Sequence, residues 1–311
     1  MPPIAPAVSE IRAFHPDLDS SWLQWLWQQT MHARWSMSVD SMRRVLAEAR
    51  LSLVAECDGL PVGFCAGDYE RSGHAGLLIL LVDPAHQRNG IGSALLLQME
   101  RILKAEQVSI LHLGAVSTGT YFWPGVPAEN DSASSFFARH GWQEKDACAD
   151  LVQELTSFET PLWVSDRLRD ANIILRLSDS RLRTKIAEFE WANFPAWAPF
   201  VENELASSGD ENLLIAQSAD GAMVGTILMK AGIPNFWACD SGIQIGSLNI
   251  LGVAPASQQQ GIGLALTARA MGILRERGCS RCYIQWTGLK DWYGKLGAKV
   301  WAEYRMVSKA L

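Results

Sequence analysis

The chain has 311 residues, of which 48% are hydrophobic and 19% charged, and its formal net charge is −6. This composition excludes a disordered chain, and the length predicts two domains. The apolar run Ala75–Val82 is too short to span a bilayer, and residues 1–6 lack a signal sequence, so we expect a cytoplasmic protein without membrane contacts.

Charged residues and cysteines limit the function classes further. Residues 1–156 hold 11 basic and 18 acidic side chains, and residues 157–311 hold 16 and 15. No basic stripe predicts nucleic-acid binding, and the acidic half fits either a cationic amine substrate or a solvated surface. Six scattered cysteines do not indicate a disulfide scaffold. Cys279 and Cys282 form a lone C-x-x-C pair, which we interpret as structural, and we expect no metal.

The first half predicts, in chain order, a strand, two helices, a hairpin with an Asp-Gly turn, a buried strand, a helix, a strand, a helix and two closing strands. The predicted ranges are Ile11–Phe14, Leu18–Gln29, Val39–Arg50, Leu51–Cys57, Pro61–Tyr69, Gly76–Val82, Gly90–Gln107, Val108–Val116, Ser132–His140 and Trp142–Leu155.

The second half predicts the same elements in the same order. Their ranges are Ile173–Leu177, Arg183–Asn193, Phe200–Ser207, Leu213–Lys230, Ile243–Val253, Gly261–Arg277, Arg281–Trp286, Leu289–Leu296 and closing strands to Ser308. Between the halves, Thr160-Pro161 interrupts regular structure. We therefore predict two domains, residues 1–158 and 159–311.

A direct sequence repeat supports this duplication. Nine of the 16 residues in Leu81–Leu96 are identical to those in Gly252–Thr267 at a constant offset of 171. Matches at offsets of 162 upstream and 156 downstream keep the order of elements. A whole domain has therefore been duplicated, and about 15 additional residues lie before the last helix of the first copy.

Both repeats contain a Gln-x-x-Gly-x-Gly loop between a buried strand and a helix. A helix N-terminus offers unpaired N–H groups and the positive end of the helix dipole, and glycines allow a phosphate to approach the backbone closely. The loops lack the third glycine of a Rossmann fingerprint and the Gly-Lys-Ser/Thr of a Walker loop. Two copies in register predict a pyrophosphate site better than a packing role for the glycines.

The two loops, Gln87–Gly92 and Gln258–Gly263, resemble motif A of the GNAT (Gcn5-related N-acetyltransferase) superfamily. The later stretch Trp292–Gly297 is similar to another conserved feature of that superfamily, and the tandem arrangement is similar to that of mycothiol synthase. The resemblance implies two tandem α/β (α+β) domains, each with a mostly antiparallel central sheet flanked by helices. It also implies acetyl-CoA, or another acyl-CoA, as co-substrate.

By this resemblance the loop N–H groups bind the CoA pyrophosphate and the preceding strand pairs with the pantetheine arm. The implied cofactor-binding residues are Leu81, Val82, Gln87, Arg88, Asn89, Gly90, Ile91, Gly92, Ser93, Leu251, Val253, Gln258, Gln259, Gln260, Gly261, Ile262, Gly263 and Leu264. We expect Ile91 and Ile262 to point into the core. Arg88 adds a positive charge that the second loop lacks, so the first copy is expected to bind the cofactor more strongly.

The resemblance further implies direct attack of an amine on the thioester, with a general base and a general acid. Tyr293 is the best candidate for the acid, and the first copy has Phe137 at the aligned position. Tyr121, in the additional residues of the first copy, is a second candidate, although that segment could instead be a packing plug. No general base stands out; Asp68, Glu70 and Glu190 are weak candidates.

Two functions remain open at this stage. The favoured one is an N-acetyltransferase that acts on a primary amine of a small molecule or peptide. The other is an acyl-CoA sensor or scaffold without turnover in one or both domains, which Phe137 and the missing base would favour. We expect a monomer or homodimer. The acceptor cannot be identified because no recognisable motif lies in the first helices.

Overall fold

A computed structural model describes residues 10–31, 34–69, 73–114, 123–207, 210–232 and 243–311. Their contacts divide the chain into two compact units. The described part of the first unit comprises residues 10–148 together with 302–311, and that of the second comprises 149–232 and 243–301. No helix in the described ranges has the length and apolar character needed to cross a membrane.

Described residues between 10 and 148 form most of the first unit. In order, they form β1 (Glu10–Ala13), α1 (Pro16–Thr30), α2 (Val39–Glu48), β2 (Leu51–Cys57), β3 (Leu60–Tyr69), β4 (His74–Val82), α3 (Ile91–Ala105), β5 (Ile110–Leu113), β6 (Val126–Pro127), α4 (Asp131–Arg139) and β7 (Gln143–Glu154).

The remaining elements repeat this order after one additional helix. They are α5 (Leu162–Asp170), β8 (Ile174–Leu177), α6 (Arg183–Asn193), α7 (Ala198–Ser207), β9 (Leu213–Gln217), β10 (Met223–Ala231), β11 (Ile245–Val253), α8 (Ile262–Glu276), β12 (Arg281–Thr287), α9 (Lys290–Gly294) and β13 (Lys299–Ala310).

Each unit has a mixed sheet with one parallel pair. In the first unit the strand order is β1-β2-β3-β4-β5-β13, with β6 also on β13, and in the second it is β7-β12-β11-β10-β9-β8. Only β4 with β5 and β11 with β12 run parallel among these described pairs. The mixed, mostly antiparallel sheet flanked by helices confirms the predicted fold class.

The closing strands differ from the sequence prediction. Where two strands were expected over Trp142–Leu155, the structure has the single strand β7, because no glycine, proline or asparagine interrupts it. Strand β7 passes from the first unit into the second after Cys148, and β13 passes from the second into the first after Trp301. The units therefore exchange strands, whereas the boundary predicted at 158/159 marks where the sequence repeats meet.

The segment between the repeats was predicted as a break and contains helix α5 instead. Pro161 is its N-cap residue, a position at which the φ and missing N–H of proline are tolerated. Val164 on this helix is 2% exposed and belongs to the core of the second unit. Val164 is thus explained by a helix that packs on its own unit, whereas Leu162 and Trp163 at the start of the helix are exposed.

Helix α3 packs tightly on strand β3, and helix α8 packs tightly on strand β10. A Cβ atom on Gly63 of β3 would lie 2.8 Å from Cγ2 of Ile91 and 2.9 Å from Cδ1 of Leu95. Gly225 of β10 has the same role, with Cδ1 of Leu266 at 3.0 Å. These glycines set the height of α3 and α8 above their sheets, and so place the loop that precedes each helix.

The last strand is fixed to the first unit by an ion pair. Lys309 Nζ lies 2.7 Å from both carboxylate oxygens of Glu100, a residue of α3 that is 5% exposed. Ser308 on the same strand is aligned with His112 of β5. Because a buried carboxylate without a partner is costly, this pair holds the exchanged strand in register.

We predict that Lys309→Met lowers the free energy of unfolding by about 2 kcal/mol, because it leaves the Glu100 carboxylate buried and unpaired. Lys299→Met is the matched control, since Lys299 is an exposed lysine on the same strand. Urea unfolding of both variants measures the difference. Equal stabilities would show that the ion pair does not hold the strand.

Candidate active site

The two glycine-rich loops have the same backbone conformation in their separate units. Arg88 and Gly90 have φ angles of 66° and 81°, and Gln259 and Gly261 have 64° and 83°. A left-handed conformation is unfavourable for Arg88 and Gln259, so its occurrence in both loops indicates that the backbone shape matters. Left-handed residues that alternate with ordinary ones turn successive N–H groups toward an anion.

The glutamine of each motif braces its loop. Gln87 Nε2 donates a hydrogen bond of 3.1 Å to the carbonyl of Val82, and Gln258 Nε2 donates one of 3.1 Å to the carbonyl of Val253. Each bond ties the loop back to the last residue of the preceding strand. The side chain that the motif requires therefore positions the backbone around it.

Unpaired N–H groups point out of the first loop at the start of α3. The first helical hydrogen bond runs from Ala94 N–H to the carbonyl of Gly90. The N–H groups of Ile91, Gly92 and Ser93 precede it and meet no acceptor in the described part of the chain. Ile91 is 1% exposed, as expected for the anchor of the turn. The loop therefore offers a row of donors to an anionic ligand.

Strand β4 separates from its neighbour just before this loop. It pairs with β5 only over His74–Leu77, whereas its pairing with β3 continues to Val82. The register with β3 shifts at Leu78, which forms a bulge, and Trp123 Nε1 donates a hydrogen bond of 2.8 Å to the Leu78 carbonyl. Beyond the bulge, β4 meets no further strand on this side within the described part of the chain, and this free edge could pair with an extended ligand.

A cavity of about 590 Å³ opens at the first loop. Its charged lining residues are Arg88 and Arg139, and no carboxylate lines it among the residues described. A second cavity of about 410 Å³ shares Val82 and Phe137 with the first and continues past Trp123. The size, the donors and the charge fit a ligand with a pyrophosphate and a long uncharged arm.

The loop of the second unit is covered. A Cβ atom on Gly261 would lie 3.0 Å from Cδ and 3.5 Å from Cβ of Arg167, and one on Gly263 would lie 3.1 Å from Cζ2 of Trp292. Arg167 belongs to α5, and its guanidinium stacks on Trp163, 5.3 Å from the ring centroid. The helix thus occupies the space over this loop.

No described residue covers the first loop in this way. A Cβ atom on Gly90 would meet nothing within 4 Å, and one on Gly92 would make an ordinary contact of 3.5 Å with the Phe136 ring. The two loops therefore share a backbone shape and differ in access.

Partly buried aromatic side chains also cover the strand end in the second unit. A Cβ atom on Gly252 would lie 2.4 Å from Cε2 of Phe194. The ring of Trp197 lies 5.0 Å from that of Phe194, and its Nε1 donates to Glu190. Thr226 Oγ1 also donates to Glu190, at 2.6 Å, and burial raises the pKa of this carboxyl. Glu190 thus supports the aromatic cover.

The predicted acid Tyr293 lies in the core of the second unit. It is 7% exposed, and burial raises its pKa to about 12, with Cys282 nearby as a smaller cause. Phe137, at the aligned position, lines both cavities of the first unit. Tyr121 and Glu70 lie outside the described residues. Asp68 is 8% exposed and faces Arg50, whose Nε lies 3.4 Å from its carboxylate.

The remaining predicted cofactor-binding residues divide by burial. Leu81, Ile262 and Leu264 are buried, Asn89 and Leu251 are partly buried, and Gln260 is exposed. Four residues of α4 that line the open cavity, Ser132, Ala133, Phe136 and Arg139, were missed. Only Arg139, a cation at the end of a predicted helix, had a chemical signal in the sequence. Among the described residues, no group of three or more His, Cys, Asp or Glu side chains is placed to hold a metal.

Comparisons with known proteins agree with this architecture. The sequence model of the acetyltransferase (GNAT) family matches residues 13–142 and 176–297. No curated protein sequence matches the chain.

Among solved structures, the chain is similar to a GCN5-related glucosamine N-acetyltransferase region of a fungal multi-domain β-N-acetylglucosaminidase, with a TM-score of 0.89 and 24% identity over 98% of this chain and 38% of that one. It is also similar to an N-acetyltransferase from Sphaerobacter thermophilus, with a TM-score of 0.73 and 19% identity over 97% and 95% of the two chains. A tandem GNAT protein from the clavulanic acid biosynthesis pathway gives a TM-score of 0.64 and 16% identity over 97% and 98%.

The chain spans about 38% of the length of the fungal protein and nearly all of the other two. At these identities the likeness concerns the fold. The family match covers both repeats, and the structure has the two units and the two loops that a duplicated domain requires. The chain is a tandem member of the GNAT acetyltransferase family.

Proposed function

We propose that this protein transfers an acyl group, acetyl in the first instance, from acyl-CoA to a primary amine of a small molecule or peptide, and that the acyl-CoA binds in the first unit. The family supports acyl-CoA-dependent N-acetyl transfer in general. The open cavity at the first loop, with its row of N–H donors and its two arginines, is the single observation that carries the choice of unit.

Each part of the first site has a distinct role in this proposal. The N–H groups at the start of α3, together with Arg88 and Arg139, bind the phosphates. The free edge of β4 beyond Leu78 binds the extended arm, and a backbone N–H of that edge polarises the thioester carbonyl. Bound acyl-CoA supplies an activated acyl group with a good leaving thiolate.

We predict that Gly92→Asp raises the dissociation constant for CoA by about tenfold or more. The new carboxylate would face the phosphates, while an acidic residue at a helix N-terminus does not disturb the helix. Gly263→Asp, the equivalent change at the covered loop, leaves CoA affinity unchanged. Isothermal titration calorimetry with CoA measures both variants.

Gly92→Asn separates charge from size, because it adds a side chain of the same shape without the charge. Tight CoA binding by Gly92→Asp, or weakened binding by Gly263→Asp with normal thermal stability, would place the cofactor in the other unit.

The second unit is a second candidate place for the chemistry, because the raised pKa of Tyr293 keeps its hydroxyl protonated, as a general acid requires. The proposal for the first unit predicts that Tyr293→Phe changes kcat by less than about twofold. General acids contribute about a hundredfold or more, so a loss of that size would assign Tyr293 as the acid. Steady-state release of CoA thiol decides between the two outcomes.

Phe137 favours a second function, acyl-CoA binding without turnover, because it places no hydroxyl beside the open cavity. A panel of primary amines tests this alternative. We include glucosamine, since the fungal region of similar fold is named as a glucosamine N-acetyltransferase, along with polyamines and peptide N-termini. The transferase proposal predicts amine-dependent release of CoA. Tight CoA binding without release for any amine would favour the sensor.

A further inference from the structure

Two histidines in the central sheet of the first unit form a direct pair. His74 Nδ1 lies 3.1 Å from His112 Nε2, and the rings are nearly parallel, with an interplanar angle of 8° and centroids 5.4 Å apart. The residues stand 38 positions apart in the chain: His74 is the first residue of β4, and His112 is the third residue of the parallel strand β5. Neither the loop nor the cofactor cavity uses them.

The pair lies on the face of the sheet opposite α3. Ala75, Leu77 and Leu111 belong to the core beneath α3, and side chains alternate between faces along a strand. His74 and His112 therefore point to the other face, on which α1 packs against β3 and β4.

The pair also lies close to the place where the free edge of β4 begins. His112 is aligned with Gly76, two residues before the bulge at Leu78, which corresponds to about 7 Å along the strand. Gly76 contributes no side chain between the pair and this point. We consider a thioester carbonyl that lies at the free edge of β4. An amine that approaches this carbonyl from the side of the first residues of β4 would come within reach of an imidazole, directly or through one water.

The charged groups on the described elements around the pair each have a partner of opposite charge. Asp68 of β3, aligned with Gly76, has Arg50 beside it. Ser308 faces the pair from β13, whose Lys309 points to Glu100 of α3 on the other side. The buried carboxyl of α1, Asp19, accepts two hydrogen bonds from Arg12.

The contact between the two rings limits how many protons they can hold. One nitrogen must donate and the other accept, so two imidazolium rings would place two N–H groups against each other. Burial and the neighbouring His74 lower the pKa of His112 below its ordinary value. While this contact persists, the pair can therefore take up one proton and not two.

We propose that His74 and His112 together form the general base that deprotonates the acceptor amine. This inference rests on the proposed function of the first unit. One N–H bond of the substrate ammonium breaks and an N–H bond forms on the imidazole pair. The freed lone pair forms the new bond to the acyl carbon, the C–S bond breaks, and the sulfur leaves as a thiolate that takes up a proton. The second nitrogen proton of the acceptor and the imidazole proton pass to water, so the reaction yields an amide, a thiol and one net proton.

The kinetic test uses two classes of acceptor. With an alkylamine, which is protonated at neutral pH, His112→Gln and His74→Gln are each expected to reduce kcat/KM by about a hundredfold. With a weakly basic amine of the hydroxylamine type, which is already neutral, the same variants should lose less than about threefold. In His112→Gln, kcat/KM for the alkylamine should keep rising with pH toward the pKa of the amine, because only the neutral amine then reacts, whereas the wild-type profile should level off once the imidazole pair has lost its added proton. His15→Gln, at an exposed histidine, is the matched control.

A second readout does not depend on turnover. In NMR titrations the ring signals of His74 and His112 should shift together with the uptake of one proton, and His74→Gln should raise the pKa of His112. Normal CoA binding and thermal melting in both variants establish that they fold. Equal losses for the two amine classes, or independent titration of the two rings, would overturn the proposal while leaving the transferase function intact. Wild-type protein that acylates no amine would overturn both.

Discussion

The architecture depends on a short row of unpaired backbone N–H groups at the start of a helix, held open toward solvent. These donors exist because α3 makes its first helical bond only at Ala94, and because residues at 88 and 90 are left-handed. The Gln87 brace and the close packing at Gly63 hold the row in place. Such a row of donors needs little side-chain charge to bind a phosphate, so the proposed role of the loop is compatible with its place in the acidic half of the chain.

Duplication gave both units this device, and their surroundings then diverged. In the second unit Arg167 of α5 lies over Gly261, and Trp292 packs closer to Gly263 than Phe136 packs to Gly92 in the first unit. The loop there keeps its left-handed residue at Gln259 and its glutamine brace. The second loop therefore keeps its backbone shape although it is covered. The same turn also starts the buried helix α8, whose Ile262 and Leu266 belong to the core.

Much of this arrangement could be predicted from the sequence. The loops, the buried strands before them and the Asp58-Gly59 hairpin follow from local patterns, and both residues of that turn have the expected positive φ angles. The exchange of β7 and β13 could not be predicted, because an extended segment carries no local mark of which sheet it joins. Helix α5 was missed for a similar reason, since Pro161 signals a break and a helix start equally well.

The site could be predicted only in part. The motif located both loops, and their cofactor contacts stay a prediction; the second loop is covered by Arg167, which lies far from it in the sequence and belongs to no motif. The histidine pair was missed because two single histidines 38 positions apart give no spacing signal; only the parallel pairing of β4 and β5 brings them together.

The exchanged strand has a consequence for synthesis on the ribosome. The sheet of the first unit is complete only when residues 302–310 pair with β5, although the rest of that unit ends at Cys148. At typical elongation rates the intervening chain takes roughly 8–30 s to emerge, during which the edge of β5 stays unpaired and open to wrong partners. The first half of the nascent chain therefore remains without its last strand during this time. Molecules truncated near the C-terminus should be unusually prone to aggregation.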